Sequence, residues 1–400
     1  MDSSDFPVAD VTVDSMTADT LKRYIDAEES ITLLDVRMEN EYETWAIEGK
    51  SVETVNIPYF AFLDDEIETQ IIDDIPSGDP LVVVCAKGGA SEFVAGVLTE
   101  TLGSNVVNLE GGMNAWAALY EQRQISRYDG PGSVYQYHRP ATGCLGYLVV
   151  SEGSAAVIDP LRAFAERYRD DASELHADLE FAVDTHVHAD HFSGVDALLD
   201  ASVTGIIPQR SADRGVAYRD NIRLAEDGDI FHVGNVEIEA VGTPGHTTDM
   251  TSYLIDDSLL LTGDGLFIES VARPDLEAGD DGADAAARQL YHSLHNRVLP
   301  LPGETLIGGA HVSAAGTPAE DGTYTARIDE LRDNMDALSL DENAFVDLVL
   351  SNMPPRPAHY EEIIAANMGK HTVDDETAFE LELGPNNCAA SQESLITQEV

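Results

Sequence analysis

Apolar positions in the first 120 or so residues fall into short runs separated by stretches with helical periodicity. Residues 31–36 and 81–85 are rich in β-branched and other apolar side chains, which is typical of strands buried in a parallel sheet. Residues 106–109 form a third such run, and residues 91–102 repeat with a helical period. A Gly111-Gly112 pair marks a turn after the third run. This pattern predicts a small α/β domain.

A second pattern begins near residue 133, where hairpins join the alternation of strands and helices. Residues 144–150 and 155–159 predict a strand pair with a turn at Glu152-Gly153. Further strands are predicted at 180–183, 236–241, 252–255, 259–262 and 305–307, with helices at 160–169 and 195–199. Alternating strands and helices combined with hairpins favour an α/β sandwich over a single doubly wound sheet.

These patterns divide the chain into four predicted segments. An α/β domain occupies residues 8–123, and a sandwich domain occupies residues 133–368. The irregular stretch 124–132 between them predicts a linker. Residues 369–400 are rich in acidic side chains, with no Lys or Arg after residue 370, so they predict a solvated tail.

The charge is strongly acidic, with 74 Asp and Glu against 22 Lys and Arg and a net charge of −52. The apolar segments exclude a disordered acidic chain, so the composition indicates a folded protein whose acidic surface keeps it soluble at high salt. Such a surface is typical of a salt-loving, haloarchaeal organism. It also repels nucleic acid and anionic lipid, so neither is expected as a partner.

Cysteine content and hydropathy point to the cytoplasm. There are only three cysteines, which do not make a disulfide framework and indicate a reducing compartment. No run of about 18 apolar residues occurs, so no membrane-spanning helix is predicted. The first residues, M-D-S-S-D-F-P, lack the basic and apolar regions of a signal peptide.

Metal-ligating residue types cluster at the ends of predicted strands. The strand at 180–183 is followed within eight residues by four of them: His186, His188, Asp190 and His191. Three more follow later strands: His246 in T-P-G-H-T, Asp264 in L-T-G-D and His311 in G-G-A-H. Imidazole and carboxylate are ligands that zinc and Fe(II) prefer. Histidines on a polar surface loop are the simpler explanation, but four strand ends that each deliver a ligand favour a metal site.

These residues resemble the metallo-β-lactamase superfamily, which has H-x-H-x-D-H, then G-H-T, G-D and a final His. The resemblance implies a four-layer αββα sandwich with the metal at the strand edge. Within the superfamily, residues 133–368 resemble the persulfide dioxygenases, which oxidise glutathione persulfide or related thiols. The matching segments include T-H-V-H-A-D-H-F-S-G, A-R-P-D at 272–275, L-Y-H-S-L-H at 290–295 and L-P-G-E-T-L-I-G-G-A-H at 301–311.

The resemblance implies one Fe(II) per chain, held by His186, His246 and Asp264 in a 2-His-1-carboxylate triad with open positions. The other four candidates would then orient the ligands and tune the metal: His188, Asp190, His191 and His311. Hydrolases of the same fold hold two metals with Asp264 as the bridge. All seven residues are present here, so the sequence leaves two zinc ions open as the alternative.

The implied substrates are a small thiol persulfide and O₂. Both oxygen atoms would pass to the terminal sulfur, and hydrolysis would release sulfite and the thiol. Arg273 is the expected clamp on a carboxylate of the thiol, since guanidinium pairs with carboxylate in a two-bonded fork. The alternative for Arg273 is a surface ion pair. Asp275 is expected to contact a metal ligand without binding the metal itself.

Two segments depart from the family pattern. G-H-T is usually followed by small residues and Cys, whereas Thr248, Asp249 and Met250 follow it here. An aromatic residue near the final His is replaced by H-V-S-A-A-G, with Ser313 and no Tyr. Both segments are expected near the substrate, so the identity of the thiol stays open.

The N-terminal domain resembles the rhodaneses. The matching segments are L-L-D-V-R at 33–37, V-V-V-C-A-K-G-G-A-S around Cys85 and N-L-E-G-G-M-N-A-W at 108–116. The resemblance implies that Cys85 begins a loop whose amides and following helix stabilise a thiolate and then a persulfide. Family loops often carry Arg where this chain has Ala90, so Lys87 and the amides would serve instead. The alternative is a docking domain in which Cys85 is a small buried hydrophobe.

The two resemblances are mutually consistent, because a rhodanese moves the sulfane sulfur that a persulfide dioxygenase consumes, and fusion raises its effective concentration. Two alternatives stay open: a two-zinc thioester hydrolase of the glyoxalase II type, and a non-catalytic sulfur-relay protein. Residues 272–275 and 290–295 favour the dioxygenase over the hydrolase, and the full ligand set argues against the relay. Cys144 is expected in the core and Cys388 in the tail, neither with a role. A homodimer is compatible with the resemblance, although no dimer face is visible in the sequence.

Overall fold

The computed structural model describes residues 12–63, 69–76, 78–102, 105–217, 221–313, 315–351, 353–391 and 395–396. Residues 8–11 of the predicted α/β domain, and residues 392–394 and 397–400 of the predicted tail, lie outside the described ranges. The chain divides into two units. The first comprises residues 1–120 with 139–142, and the second comprises residues 121–138 with 143–400.

The first unit is built on a five-stranded parallel sheet in the order β1-β5-β4-β2-β3. Its strands are β1 Asp14–Met16, β2 Ile31–Asp35, β3 Val52–Asn56, β4 Leu81–Val84 and β5 Val106–Leu109. Strands β2, β4 and β5 are buried along their whole length, as their apolar sequences predict.

Helices accompany the strands of this parallel sheet. They are α1 Ala18–Asp26, α2 Glu39–Thr44, α3 Thr69–Asp73, α4 Gly89–Leu102 and α5 Gly112–Ala117, with a 3-10 turn at Tyr59–Phe62. The Thr17 side chain caps α1 by accepting the amide of Thr20. Between β5 and α5, Gly111 and Gly112 both adopt positive φ, so the predicted turn is present.

The second unit contains two sheets. The first has the order β12-β11-β10-β9-β8-β7-β6 and the second has the order β13-β14-β15-β16-β17-β18. Strands of the first sheet are β6 Glu121–Gln124, β7 Ser133–Arg139, β8 Cys144–Ser151, β9 Ser154–Ile158, β10 Asp178–Val183, β11 Thr204–Pro208 and β12 Ile222–Ala225. Strands of the second are β13 Ile230–Val233, β14 Val236–Gly242, β15 Thr251–Ile255, β16 Leu259–Gly263, β17 Leu306–Gly309 and β18 Ala326–Arg327.

The helices of this unit lie on the outer faces of the sheets. They are α6 Ala165–Glu174, α7 Val195–Leu198, α8 Ser211–Arg214, α9 Gly279–Ser293, α10 Ile328–Asn334, α11 Glu342–Ser351, α12 Tyr360–Asn367 and α13 Asp375–Leu381. Two 3-10 turns at Arg162–Phe164 and Asp336–Ser339 and a π turn at Leu294–Val298 complete the set. Helix α6 packs beside β8 and β10, and α9 packs against α11.

Two buried clusters show the layering of this unit. One cluster joins the sheets face to face and includes Val149 and Val183 from the first sheet and Ile238 and Leu261 from the second. The other cluster joins the second sheet to its helices. The layers are therefore helix, sheet, sheet and helix, which confirms the predicted αββα sandwich. The β8–β9 hairpin is antiparallel and turns at Glu152 and Gly153, as predicted.

The predicted linker at 124–132 is wrong, because this stretch belongs to the second unit. Strand β6 pairs with β7, and the amide of Ile125 donates to the carbonyl of Val134. The side chains of Ile125 and Tyr128 are buried in the cluster between the two sheets. Two apolar residues are too few to give a periodic signal, so the polar residues around them dominated the sequence pattern.

The predicted solvated tail is also wrong for the described residues beyond 369. Val373 and Ala378 pack with Phe192 and Ile363 in a small apolar cluster. The Asp374 side chain caps α13 by accepting the amide of Thr377. Glu382 is buried and accepts the amide of Phe192 at 2.8 Å, whereas four other acidic residues are exposed: Asp374, Asp375, Glu376 and Glu380. The sparse apolar residues and Glu382 attach this segment to the second unit.

Among the described residues, none of the helices combines the length and the apolar character needed to cross a bilayer.

Candidate metal centre

Strand direction brings the candidate ligands to one edge of the second sheet. Strands β14 and β16 are each antiparallel to β15, and β17 is parallel to β16, so all three end at the same edge. His246 follows β14, Asp264 follows β16 and His311 follows β17. The segment after β10 supplies the remaining four candidates from the facing sheet: His186, His188, Asp190 and His191. All seven side chains are buried.

Three ligand atoms converge at the centre of this edge. The Nε2 atoms of His186 and His246 lie 3.6 Å and 3.5 Å from Oδ2 of Asp264. None of these three atoms has a hydrogen-bond partner in the described part of the chain. Buried polar atoms without partners are costly, and three that point at one another fit a metal ion between them.

The opposite ring nitrogens are each held by a neighbour. Nδ1 of His246 donates to the carbonyl of Arg273 at 2.8 Å. Nδ1 of His186 lies 2.9 Å from Oγ1 of Thr185, whose hydroxyl donates to Asp159. A proton on each Nδ1 leaves the lone pair on Nε2, which is the tautomer a metal needs.

The charge states of these three groups also suit metal binding. Burial lowers the pKa of His186 well below its usual value, with a further contribution from His188, and burial lowers the pKa of His246. Both imidazoles are therefore neutral at pH 7. Burial opposes ionisation of Asp264, but His311 overrides it and holds the pKa of this carboxyl well below its usual range. Two neutral imidazoles and one carboxylate are a ligand set for Fe(II) or zinc.

His311 links two carboxylates instead of pointing into the centre. Its Nδ1 lies 2.5 Å from Oδ1 of Asp264 and its Nε2 lies 2.6 Å from Oδ2 of Asp190. Carboxylates only accept, so both ring nitrogens donate. Burial lowers the pKa of His311, but the two carboxylates outweigh this and raise it well above its usual value.

The Nε2 atom of His188 is held by two carboxylates, whereas its Nδ1 has no hydrogen-bond partner among the described residues. Its Nε2 lies 3.1 Å from Oδ1 of Asp159 and 3.7 Å from Oδ1 of Asp184. Asp159 also accepts the amide and hydroxyl of Thr185, so it fixes the start of the ligand segment. His188 therefore joins the group that orients the loop.

Comparisons with known proteins agree with this geometry. Residues 17–119 match the rhodanese-like domain and residues 139–311 match the metallo-beta-lactamase superfamily. The mitochondrial persulfide dioxygenase ETHE1 of Homo sapiens is 31% identical over 253 residues, which cover 62% of this chain and 93% of the human protein. The chain belongs to the persulfide dioxygenase family.

One solved structure supports the same family assignment, and a second supports the fold. ETHE1 from Myxococcus xanthus is 29% identical with a TM-score of 0.50, covering 59% of this chain and 98% of that protein. A metallo-beta-lactamase from Staphylococcus aureus subsp. aureus COL has a TM-score of 0.56 at 23% identity, covering 62% of this chain and 75% of that one. The latter likeness concerns the fold alone.

Arg273 does not lie where a clamp on a persulfide dioxygenase substrate was expected. Its guanidinium is buried and donates through Nε and Nη2 to Asp275, at 2.7 Å and 3.0 Å. Its Nη1 donates to the carbonyls of Pro355 and Asn387. Every guanidinium nitrogen is thus committed inside the protein, and the contact of Arg273 with the centre is its carbonyl on His246. This placement is inconsistent with both expectations for Arg273, a clamp on a carboxylate of the thiol and an ion pair on the surface.

Asp275 likewise contacts arginines instead of the metal ligands. It binds Arg273 in a fork and also accepts Nε of Arg356 at 2.8 Å. Burial raises the pKa of Asp275, but the two guanidinium groups outweigh it and lower the pKa. The expected contact of Asp275 with a metal ligand is absent from the hydrogen bonds of the described residues, which join Asp275 to Arg273 and Arg356.

The two departures from the persulfide dioxygenase pattern have structural roles. Asp249 is buried, and its carboxylate accepts the amide of Val187 at 3.1 Å, the hydroxyl of Ser211 and a guanidinium nitrogen of Arg214. The amide of Ser313 donates to Glu269 at 2.6 Å. Neither position was predicted as a support of the ligand loops, and a single sequence carries no signal for such contacts.

Sequence reasoning also missed two thiols. Sγ of Cys144 lies 3.4 Å from Oδ2 of Asp190, and Cys144 forms an isolated bridge with His311. Cys388 stands among Asp190, Asp264 and His311, with ligand atoms within 4.8 Å of one another. Both thiols are buried and neither forms a disulfide. Cys388 was placed in the tail and Cys144 in the core, so neither received a role.

Cys85 of the first unit lies directly after β4, at the start of the loop that leads into α4. Its Sγ accepts the amide of Gly88 and the hydroxyl of Ser91, each at 3.1 Å. The carbonyl of Cys85 accepts the amide of Met113. A Cβ on Gly112 would lie 2.0 Å from that carbonyl, so a glycine is needed there. Lys87 is exposed, and Ser91 supplies the second hydrogen bond to Sγ among the described residues.

Proposed function

We propose that the second unit is an Fe(II)-dependent dioxygenase that oxidises a low-molecular-weight thiol persulfide to sulfite and the thiol. The observation that carries the proposal is the convergence of three unpartnered atoms, Nε2 of His186, Nε2 of His246 and Oδ2 of Asp264. Two imidazoles and one carboxylate are the facial triad that non-haem iron oxygenases use. The similarity to persulfide dioxygenase ETHE1 supplies the substrate class.

The reaction balances without a further reductant. The sulfane sulfur loses four electrons, O₂ takes up four, and water cleaves the S–S bond, so R-S-SH, O₂ and H₂O give R-SH, sulfite and two protons. Bound Fe(II) would supply the one-electron chemistry with O₂ that no side chain can provide. The protein holds the ligand tautomers through Thr185 and the carbonyl of Arg273 and keeps the site buried from water.

The geometry around Asp264 favours a single iron over a two-zinc hydrolase. A carboxylate that bridges two metals through both of its oxygens needs Oδ1 free, whereas Oδ1 of Asp264 is held by Nδ1 of His311 at 2.5 Å. Only Oδ2 faces the two histidines. The thioester hydrolase is therefore the less supported alternative for this site.

The first unit is proposed to carry sulfane sulfur on Cys85. The amide of Gly88 and the hydroxyl of Ser91 donate to Sγ, so they are placed to stabilise an anionic sulfur. In this proposal the Cys85 thiolate takes the terminal sulfur of one persulfide and passes it to a small thiol, whose persulfide is then the dioxygenase substrate. No electron donor is needed, because each step exchanges one S–S bond for another.

The proposal also covers the binding partners, the oligomeric state and the cellular location. The partners are a small thiol persulfide and O₂, and a homodimer of this chain is compatible with the family. The net charge of −52 disfavours binding to nucleic acid or anionic lipid. A cytoplasmic location in a salt-loving cell accounts for this charge and for the scarcity of cysteine.

The deciding experiment measures metal content and O₂ consumption on protein purified anaerobically at high salt, with glutathione persulfide as substrate. About one iron per chain together with persulfide-dependent O₂ uptake and sulfite release would support the dioxygenase. Two zinc ions without O₂ uptake would contradict it and favour thioester hydrolysis. If the metal-loaded protein shows neither O₂ uptake nor thioester hydrolysis, the non-catalytic sulfur-relay protein becomes the favoured alternative.

Matched variants assign the activities to the two units. His246→Ala should abolish iron binding and O₂ uptake, whereas His232→Ala, at an exposed histidine on β13, should leave both unchanged. Cys85→Ser should abolish sulfur transfer to a small thiol and leave O₂ uptake on preformed glutathione persulfide intact.

A further inference from the structure

Glu269 lies at the same strand edge as the candidate metal ligands. It follows β16 a few residues after Asp264, and Oε1 of its carboxylate accepts the amide of Ser313 at 2.6 Å. Ser313 in turn comes shortly after His311, beyond the end of β17. On the same segment as Glu269, the ring of Phe267 lies against the ring of His311, with centroids 6.2 Å apart. The carboxylate of Glu269 therefore belongs to the surroundings of the centre, although the chemistry proposed above does not use it.

The carboxylate of Glu269 is buried without a counter-ion among the described residues. Glu269 is 4% exposed, and its Oε2 has no hydrogen-bond partner in the described part of the chain. Burial raises the pKa of Glu269, as expected for a carboxylate that no cation stabilises. Each of the eight buried aspartates, by contrast, forms an ion pair with Arg or His: Asp35, Asp159, Asp171, Asp184, Asp190, Asp249, Asp264 and Asp275. A buried carboxylate without such a partner is costly, so Glu269 fits a ligand that brings a positive charge.

The chemistry of Glu269 suits an ammonium group better than a metal ion. Glu269 belongs to none of the groups of three or more His, Cys, Asp and Glu residues in the described chain whose ligand atoms lie within 4.8 Å of one another. Its Oε1 is taken by a main-chain amide, so a single oxygen remains. An ammonium group supplies both the charge and the hydrogen-bond donor that Oε2 lacks.

Glu269 also contacts one of the two segments that depart from the persulfide dioxygenase pattern. Residues 311–316 read H-V-S-A-A-G, without an aromatic side chain. A Cβ on Gly316 would lie 3.5 Å from Oε2 of Glu269, so the glycine leaves room beside the unpartnered oxygen. The departure from the pattern therefore coincides with a free carboxylate oxygen, a feature that distinguishes one thiol from another.

We propose that Glu269 determines the specificity of the dioxygenase by binding the ammonium group of an amino-acid or peptide thiol. This proposal rests on the proposed function, because it assigns the sulfur end of the same molecule to the triad. The ammonium group pairs with Oε2 and replaces the missing counter-ion. A thiol that has no amino group leaves Oε2 unpaired and buried, so the chain discriminates against it.

The test compares thiols that differ only in the amino group: glutathione with its analogue lacking the amino group, and cysteine with 3-mercaptopropionate. Calorimetric titration of the iron-loaded full chain without O₂ measures binding in the absence of turnover. In at least one pair, the wild-type chain should bind the thiol with the amino group about 10- to 100-fold more tightly, the usual contribution of a hydrogen bond between charged groups. Glu269→Gln should remove this preference, because it retains the acceptor for Ser313 but not the charge. Glu320→Gln, at an exposed position, should retain the preference.

Equal binding of the two thiols in both pairs by the wild-type chain overturns the proposal, and this result needs no variant. A Glu269→Gln chain that binds all four thiols more weakly by the same factor also overturns it, because Glu269 then only supports the segment of Ser313. The KM values of the corresponding persulfides should follow the same order as the binding constants. A lack of O₂ uptake with every persulfide contradicts the dioxygenase proposal and not the binding preference, which is measured without turnover.

Discussion

The carboxylate of Asp249 accepts the main-chain amide of Val187 at 3.1 Å, so the segment that follows His246 is tied to the segment that carries His186 and His188. The same carboxylate binds Arg214 at 2.6 Å, in a pair whose side chains are 0% and 7% exposed. A buried charge thus links two ligand loops from different sheets. The relative placement of His186 and His246, the two histidines proposed to bind iron, depends on it.

Removing either partner of this pair should destabilise the fold strongly. Asp249→Asn retains the size of the side chain but leaves the buried Arg214 with only the longer ion pair to Glu277 at 3.7 Å, so the loss of unfolding free energy should approach the value of about 3 to 5 kcal/mol for comparable broken pairs. Arg214→Met leaves Asp249 as the buried charge without its partner. The double variant should lose much less free energy of unfolding than the sum of the losses in the two single variants. Urea unfolding of all four proteins measures this coupling. If the losses of unfolding free energy in the two single variants simply add in the double variant, the two side chains do not interact.

The exposed pair of Arg327 and Asp329 is the matched control for this cycle. Its side chains are 40% and 44% exposed. The coupling there should stay below about 1 kcal/mol, because solvent screens the charges.

Asn367 fixes the other side of the ligand segment. Its amide nitrogen donates to the carbonyls of His188 and His191, at 3.0 Å and 2.8 Å, and its amide oxygen accepts the amide of Ser193 at 2.9 Å. Asn367→Ala removes all three bonds, so we expect iron affinity to fall by about 10- to 100-fold, the usual effect of losing an outer support. Equilibrium titration with Fe(II) under anaerobic conditions measures the loss.

The exposed Asn235 provides the control for Asn367, because Asn235→Ala truncates the same side chain on the surface of the same unit. Its Fe(II) affinity should equal that of the wild type. An Asn367→Ala protein that binds Fe(II) as tightly as this control would refute the positioning role.

The sequence predicted those elements that carry their own periodic signal. Residues 31–36, 81–85 and 106–109 were predicted as strands and form β2, β4 and β5 within one residue. The ligand residues could be found because H-x-H-x-D-H and G-H-T lie at strand ends, and strand direction alone brings such ends to one edge. The αββα layering followed from the family resemblance and the hairpin pattern.

The parts that could not be predicted depend on contacts between segments far apart in sequence. Cys388 lies beside Asp264 because residues 388–390 pair with residues 271–273, and its acidic neighbours gave the opposite expectation. Arg273 was expected to face the substrate because guanidinium pairs with carboxylate, but the carboxylate it finds is Asp275, two residues away. No local pattern distinguishes an internal partner from a ligand.

The burial of Arg273 predicts how its substitution will act. Arg273→Lys retains the charge but cannot make the two-bonded fork to Asp275 or reach the carbonyls of Pro355 and Asn387 together. We expect a loss of about 2 to 4 kcal/mol in the free energy of unfolding and a lower iron content. The iron-replete fraction should keep the wild-type KM for the persulfide. A raised KM with unchanged stability would instead show that Arg273 binds a carboxylate of the substrate.

The pair of His188 and Asp159 predicts a pH dependence for the metal-free protein. Burial and the nearby His191 lower the pKa of His188, but Asp159 and Asp184 outweigh them and raise it from 6.5 to about 9. Because the folded pKa exceeds the unfolded one, the stabilisation is fully present below pH 6.5 and is lost as the pH rises through 9. The loss is about 3 kcal/mol, since one pKa unit corresponds to about 1.4 kcal/mol.

Unfolding of chelator-treated protein between pH 6 and 10 tests this dependence. His188→Gln should flatten the curve, whereas His232→Gln, at an exposed histidine, should leave it unchanged. Parallel curves for the wild type and His188→Gln would show that His188 does not titrate in this range.

The net charge of −52 predicts that added salt stabilises the fold. Repulsion among surface carboxylates extends over about 10 Å at 0.1 M salt but only about 3 Å at 1 M, so most of it is screened at high salt. The urea midpoint should rise steadily from 0.1 M to 2 M NaCl. At pH 4.5, where many carboxyl groups are protonated, the repulsion is smaller and the same salt series should have a weaker effect. A salt response that is equal at both pH values would mean that NaCl acts through apolar burial and not through charge, and the acidic composition would then have no bearing on stability.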